Sequence, residues 1–319
     1  MNMDIRKNDI SRSGLLNLLV VYLVWSSTYL AIRIAVSGPG SFSILTAGYI
    51  RMFLAGALLL LLGLVKKYRL KITARELLSL TVSGGLLWVG GNGLIMWAEQ
   101  RADSGFAALI LALTPVLTAG LNSLLERKLP SFMVCSSLLL SFVGIGVMVG
   151  HNRLAGGVIE LRSTLGLIGG TLSWVVGSIY QSRQSLDLPA SVVSAYQHLT
   201  SGIMFLMLAV WSGNYLPGAS QGAWLALLYL VLFGSVWAFT AFIKALNLLP
   251  LHITMTYAFV NPILAMFLGW VLLKEHIDSQ MVVGAFLIIM GVIGLFWERL
   301  ISVRKKCDGL SASSKSSDL

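Results

Sequence analysis

Trp25, Trp88, Trp174 and Trp237 each stand about ten or more residues inside a long apolar stretch, with hydroxyl or amide side chains close by. Ser26, Thr28 and Tyr29 accompany Trp25. Asn92 follows Trp88 by one helical turn, Ser178 and Tyr180 follow Trp174, and Thr240 follows Trp237. At 1.5 Å per residue these indoles lie roughly 15 Å from an interface, whereas tryptophan in membrane proteins collects at the interfaces. An indole N–H at such depth needs an acceptor or water. The four groups are therefore read as lining a cavity, with plain helix packing as the alternative. Asn92 weighs most, because an unpaired buried amide costs more than a hydroxyl, and Ser and Thr often bond their own helix.

Two prolines add backbone chemistry. Pro115, after Thr114, and Pro262, after Asn261, each fall mid-stretch. A proline inside a helix frees the carbonyl four residues earlier, here those of Leu111 and Ala258. In a bilayer a freed carbonyl is tolerated only against protein or a water-filled cavity. The two sites are expected to act as hinges or substrate contacts, with Thr114 and Asn261 capping the distorted turns or touching substrate.

Three titratable residues fall inside apolar stretches or at their ends: Arg51, Glu99 and His198. They are the candidates for ion coupling or for contact with an anion, the coupling ion being a proton. Arg51 reads more readily as snorkelling to an interface than as an anchor for a substrate carboxylate. Searches for other chemistry come back empty: no phosphate-binding glycine loop before Lys-Ser/Thr, no His-Glu-x-x-His, no Gly-x-Ser-x-Gly and no clustered His or Cys. Cys135 and Cys307 make neither a disulfide framework nor a metal site. No catalytic residue, metal or cofactor is expected, and the chain does not read as an enzyme.

The elements holding these residues are membrane helices. Of the 319 residues 56% are hydrophobic and only 11% charged, against roughly 25% charged in a soluble domain. With about 20 apolar residues per span, ten helices are expected at 15–35, 43–65, 76–98, 104–125, 131–150, 164–184, 189–211, 222–246, 251–273 and 280–297. The first is read as a retained span, because it lacks a small-x-small cleavage site. The net charge of +10 is a topology signal. Of the 23 Lys and Arg, Arg51 lies within a span, 17 fall on one side of these spans and only Arg33, Arg101, Arg153, Arg162 and Lys274 on the other. Basic residues stay cytoplasmic, so both termini are expected inside. Anionic lipid, and no nucleic acid, is the partner that this charge fits.

The chain also repeats. Leu111–Ala119 and Ala258–Met266 align on Pro115 and Pro262, 147 residues apart, and Gly144 and Gly291 keep that spacing. Trp25 and Trp174 lie 149 apart. Five spans per copy is an odd number, so the second copy must enter the bilayer from the opposite side, as in many secondary transporters. The expected fold is all-α and integral to the membrane: ten transmembrane helices as two inverted five-helix repeats around a central cavity. The segments are a cytoplasmic tail (1–14), the first repeat (15–150), a non-cytoplasmic linker (151–163), the second repeat (164–297) and a basic, disordered cytoplasmic tail (298–319).

In order and spacing the chain resembles the EamA-type branch of the drug/metabolite transporter superfamily. The resemblance rests on Trp25-Ser26-Ser27-Thr28-Tyr29, Gly91-Asn92-Gly93 with Ala98-Glu99, Thr114-Pro115-Val116, Ser173-Trp174, and Asn261-Pro262-Ile263 with Lys274-Glu275. The first copy departs from the pattern, with Glu126 eleven residues after its proline where Glu275 follows by thirteen. The resemblance implies a multi-pass protein of the cytoplasmic membrane that moves small organic solutes by alternating access without nucleotide hydrolysis. It implies no particular cargo. The combined reading is a secondary active transporter, an exporter of a small, partly apolar metabolite such as an amino acid or derivative. The alternatives are a membrane-embedded enzyme acting on lipid and a non-transporting membrane assembly protein. No oligomeric state follows from the sequence.

Overall fold

Local signals start and stop the helices. Ser11, Ser43, Thr73 and Ser220 each cap a helix by accepting a bond from a backbone N–H of its first turn. Thr73 and Glu76 form a full capping box. Pro189 and Pro250 stand immediately before two further helices. The computed structural model describes residues 11–125, 127, 132–155, 158–213, 218–291 and 293–294. Among these there is no strand.

In chain order the helices are α1 (Arg12–Val36), α2 (Ile44–Val65), α3 (Ala74–Glu99), α4 (Ser104–Leu125) and α5 (Phe132–Ala155). There follow α6 (Val158–Ser182), α7 (Ala190–Trp211), α8 (Gln221–Leu248), α9 (Leu251–Thr254 with Tyr257–Leu273) and α10 (Ser279–Gly291). Among the described residues α1, α2, α3, α4, α7 and α8 are long and apolar enough to cross a membrane. Of the others α9 and α10 include shorter apolar helices. Residues 151–155 and 158–163, expected as a connecting loop, belong to the helices α5 and α6. Trp297 and the basic tail from residue 298 lie outside the described residues.

Two pairs of helices depart from regular geometry in matching ways. α3 passes through a π-helical segment at Gly85–Asn92, and α8 through one at Leu230–Ala238. Such wide turns are rare and cluster at functional sites. α4 is broken between Leu111 and Thr114, and α9 between Thr254 and Tyr257. The break in α4 precedes its proline, so Pro115 stands in the first turn of the following helix, where proline is tolerated. Pro262 by contrast lies inside Tyr257–Leu273.

The packing maps onto itself when the halves of the chain are exchanged. α2 packs against α7 and α4 against α9. α3 packs against α6 as α8 does against α1, and α1 against α9 as α6 does against α4. Where α3 meets α6, a Cβ on Gly170 would come 2.9 Å from the Gly91 carbonyl oxygen, so only glycine permits that approach. Three clusters of buried apolar side chains run along the bundle. Leucines such as Leu16, Leu61 and Leu225 stand more than half exposed on the outer surface, which is tenable in hydrocarbon and not in water.

The two ends of the bundle differ in charge. Lys66 and Lys244 border one recess at one end. At the other, Arg33 bridges Asp103 (2.9 Å) and Glu275 (3.4 Å) and also donates to the Ala102 carbonyl. Glu275 in turn accepts from the Ser104 amide (3.0 Å), the Ser104 hydroxyl (2.8 Å) and the Gly105 amide (3.3 Å). The carboxylate that follows α9 thus caps the start of α4 across 171 residues of sequence.

Candidate functional site

The centre of the bundle holds a small cavity of about 40 Å³, bordered by Trp25, Thr28, Tyr29, Ile32, Arg51, Trp88, Asn92, Ile95, Leu111, Trp174 and Tyr257. That space exceeds the 10–15 Å³ or so a water molecule needs, and it is too small for an organic metabolite. Its walls are aromatic. The ring of Trp25 lies 5.4 Å from that of Trp174, 5.1 Å from Tyr257 and 5.0 Å from Phe242, and Trp174 lies 6.2 Å from Trp88. These are the edge and tilted arrangements that aromatic quadrupoles favour. Trp25 donates to the Gly234 carbonyl (3.3 Å). Among the described residues the buried indole nitrogen of Trp88 has no acceptor, while that of Trp174 faces the Tyr257 hydroxyl.

Arg51 is the single guanidinium in this wall. It is only 2% exposed, so it does not snorkel. The π segments hold it from two sides. Nη1 donates to Asn92 Oδ1 (2.9 Å) at the end of the first, and Nε donates to Ser235 Oγ (2.9 Å) in the second. Its guanidinium carbon stands 5.0 Å from the centre of the Trp88 ring, a cation–π distance. Among the described residues no carboxylate lies within ion-pairing distance of it. A buried cation held by neutral groups keeps its charge available to an anion.

The remaining candidates divide. Thr28 and Ser178 donate to the carbonyls of Trp25 (2.7 Å) and Trp174 (2.8 Å) in their own helices. Thr114 donates to the Leu111 carbonyl (2.6 Å), bridging the break in α4. Asn261 is buried, and with its amide nitrogen oriented by hydrogen bonding its two N–H donors face three acceptors, Ser26 Oγ and the Tyr22 and Tyr257 carbonyls, 3.1 Å each. It therefore ties α9 to α1. Trp237 is 53% exposed, on the outer side of α8, and with Thr240 it borders the recess of Lys66 and Lys244, away from the central cavity. Ser235, two residues before Trp237 and so on nearly the opposite face of α8, is the residue that reaches Arg51.

Of the titratable candidates, His198 is fully buried in α7, where its Nδ1 meets the Ser194 carbonyl (2.6 Å) and its ring packs 4.6 Å from Trp88 and 5.1 Å from Phe239. It stands behind the cavity wall. Glu99, the last residue of α3, is also fully buried, and neither carboxyl oxygen has a donor among the described residues. Sequence reasoning missed Ser235, Tyr257, Ile32 and Ile95 in and around the cavity, and Glu275 as a cap. Glycines crowd this span at 84, 85, 90, 91 and 93, around and within its π-helical segment.

An apolar bundle whose two halves pack alike, with a small aromatic cavity lined from both, is the architecture of a multi-pass membrane protein. Comparison with known proteins narrows this. The EamA-like transporter family matches residues 12–150 and again 161–297, so the chain belongs to that family. It is 32% identical to the uncharacterized inner membrane transporter YedA of Escherichia coli (strain K12), over 79% of this chain and 80% of that protein. It is 24% identical to the uncharacterized transporter YoaV of Bacillus subtilis (strain 168), over 87% of this chain and 94% of that protein. A crystal structure at 20% identity has the same fold, with a TM-score of 0.64 over 90% of this chain and 98% of that one. The protein is thus a multi-pass transporter of the cell membrane, with a small molecule as its substrate and lipid as its surroundings.

Proposed function

We propose that the protein is a secondary active transporter that moves a small organic metabolite, an amino acid or derivative, outward through the cavity around Arg51. The observation carrying this reading is the unpaired guanidinium of Arg51 among Trp25, Trp88 and Trp174. A carboxylate suits the guanidinium fork, and an apolar body suits the indoles, of which Trp88 also offers an unused N–H donor. The aromatic wall argues against a strongly hydrated cargo.

The cavity is too small for such a cargo as it stands, so binding requires the wall to open. Ten crossings in two inverted repeats would supply alternating access by letting one half rock against the other. The breaks in α4 and α9 are the natural hinges, since few backbone bonds resist motion there. Both termini would be cytoplasmic, which places Lys66 and Lys244 inside and the Arg33–Asp103–Glu275 cluster at the outer face.

Counterflow in proteoliposomes tests this reading. A panel of labelled amino acids and related organic acids is offered to protein preloaded with the unlabelled compound. Saturable exchange of one member, abolished by Arg51→Met, is the expected result. Exchange that persists unchanged in the Arg51→Met protein would remove Arg51 from the site.

A further inference from the structure

α3 presents Asn92, Ile95 and Glu99 at intervals of three and four residues, one helical face. Asn92 holds Arg51, Ile95 borders the cavity, and Glu99 comes one turn further along. Seven residues separate Asn92 from Glu99, roughly 10 Å along the axis. The Glu99 carboxyl is 0% exposed, and neither oxygen has a hydrogen-bond partner among the described residues. Structural carboxylates are paired or capped, as Glu275 is; Glu99 is neither.

The charged and titratable groups facing it are Arg33 and Tyr29 from α1, Arg51 from α2, and Glu275 from the segment after α9, with Asp103 beyond Arg33. Arg33 is engaged elsewhere, by Asp103, Glu275 and the Ala102 carbonyl. Arg51 is held by Asn92 and Ser235 and pairs with no carboxylate. An unpaired ion in such surroundings costs several kcal/mol, and a neutral carboxyl avoids that cost.

We infer that Glu99 is the exchangeable proton site of this transporter, and that a proton and an anionic cargo bind together. The inference rests on the transport reading above. When Glu99 is ionised, its negative charge compensates Arg51 from within the protein. When it takes up a proton, as carboxylate plus H⁺ giving a carboxyl, the charge of Arg51 is left for the cargo anion. One anion and one proton then load, no net charge is added, and both leave when the opposite side opens. The linkage is reciprocal: protonation raises affinity for the anion by the same factor as the anion raises affinity for the proton.

Two measurements on the full-length protein test this. The first uses the labelled acid that exchanges in counterflow, with and without an imposed pH gradient, in wild type and Glu99→Gln. The glutamine mimics the protonated carboxyl, so exchange persists while the response of net flux to the gradient falls by about tenfold, a typical coupling factor. A gradient response equal to wild type in Glu99→Gln overturns the inference. The second needs no cargo: infrared spectra of the protein in liposomes across pH. A protonated-carboxyl band that fades at alkaline pH in wild type and is missing from Glu99→Gln supports the site, and no such band overturns it, including where Glu99→Gln also loses exchange. Failure of wild type to exchange any acid would instead count against the transport reading, since the infrared band is measured without cargo.

Discussion

Replacing Glu275 by glutamine tests how the end of the bundle around Arg33 and Asp103 is held. The carboxylate accepts from the Ser104 and Gly105 amides and from the Ser104 hydroxyl, and it lies 3.4 Å from Arg33 Nε. Glutamine keeps the length and one acceptor oxygen but turns an NH2 group toward donors. At least one of the two amides at the start of α4 then loses its acceptor, worth about 1–3 kcal/mol. Loss of the charge at a helix N-terminus adds about 0.3–1 kcal/mol. The Arg33 pair adds little beyond this, because the Arg33 side chain is 26% exposed and screened. The expected total is about 1–4 kcal/mol, read as the shift in equilibrium unfolding in mixed micelles of denaturing and non-denaturing detergent. Combined with Ser104→Ala, the change should be less than additive, with a coupling of about 0.5 kcal/mol or more. A loss under about 0.5 kcal/mol, or strict additivity with Ser104→Ala, would show that the cap does not stabilise α4.

Other changes separate binding from packing. Arg51→Lys keeps the charge without the fork and should weaken the exchanged acid by about tenfold or more, read as a rise in half-saturation in counterflow. Asn261→Ala removes the side-chain donor to the Tyr257 carbonyl, while Ser26 still donates to that of Tyr22, and should cost about 1–3 kcal/mol in the same unfolding assay. Gly170→Val drives a side chain into the Gly91 carbonyl and should lower the yield of folded protein, measured by gel filtration of membrane extracts. Trp237→Ala, on the outer surface, should change stability by no more than about 0.5 kcal/mol and leave exchange at wild-type rates.

How much of this was legible follows from what a periodic pattern can encode. The depth of Trp25, Trp88 and Trp174 was visible, because depth depends only on distance from the ends of a span. The side on which Trp237 lies was not, because depth does not fix the face, and it is Ser235, about 200° round the helix, that meets Arg51. Arg51 could be recognised as costly in a membrane, yet what holds it comes from Asn92 and from Ser235, 184 residues away. The two prolines marked the regions of the breaks, but Thr114 takes up the freed Leu111 carbonyl within its own helix. Glu275 carried no local sign of its role, since the helix it caps begins 171 residues earlier. Family resemblance identified the kind of protein without these contacts.

The π segments have a consequence for how this chain can vary. A wide turn accommodates more residues than the α-helical turn it replaces, so the two ends of α3 are out of phase with a single regular helix. Removing one residue from an ordinary span would rotate everything beyond it by about 100° and turn its buried face to lipid. Removing one from Gly85–Asn92 has another way to be absorbed, by closing the wide turn into an α-helical one. The cost then falls on the local grip of Asn92 on Arg51, and both flanking halves of α3 keep their partners. Length changes in α3 and α8 should therefore be read as changes of the site, not as breakage of the bundle.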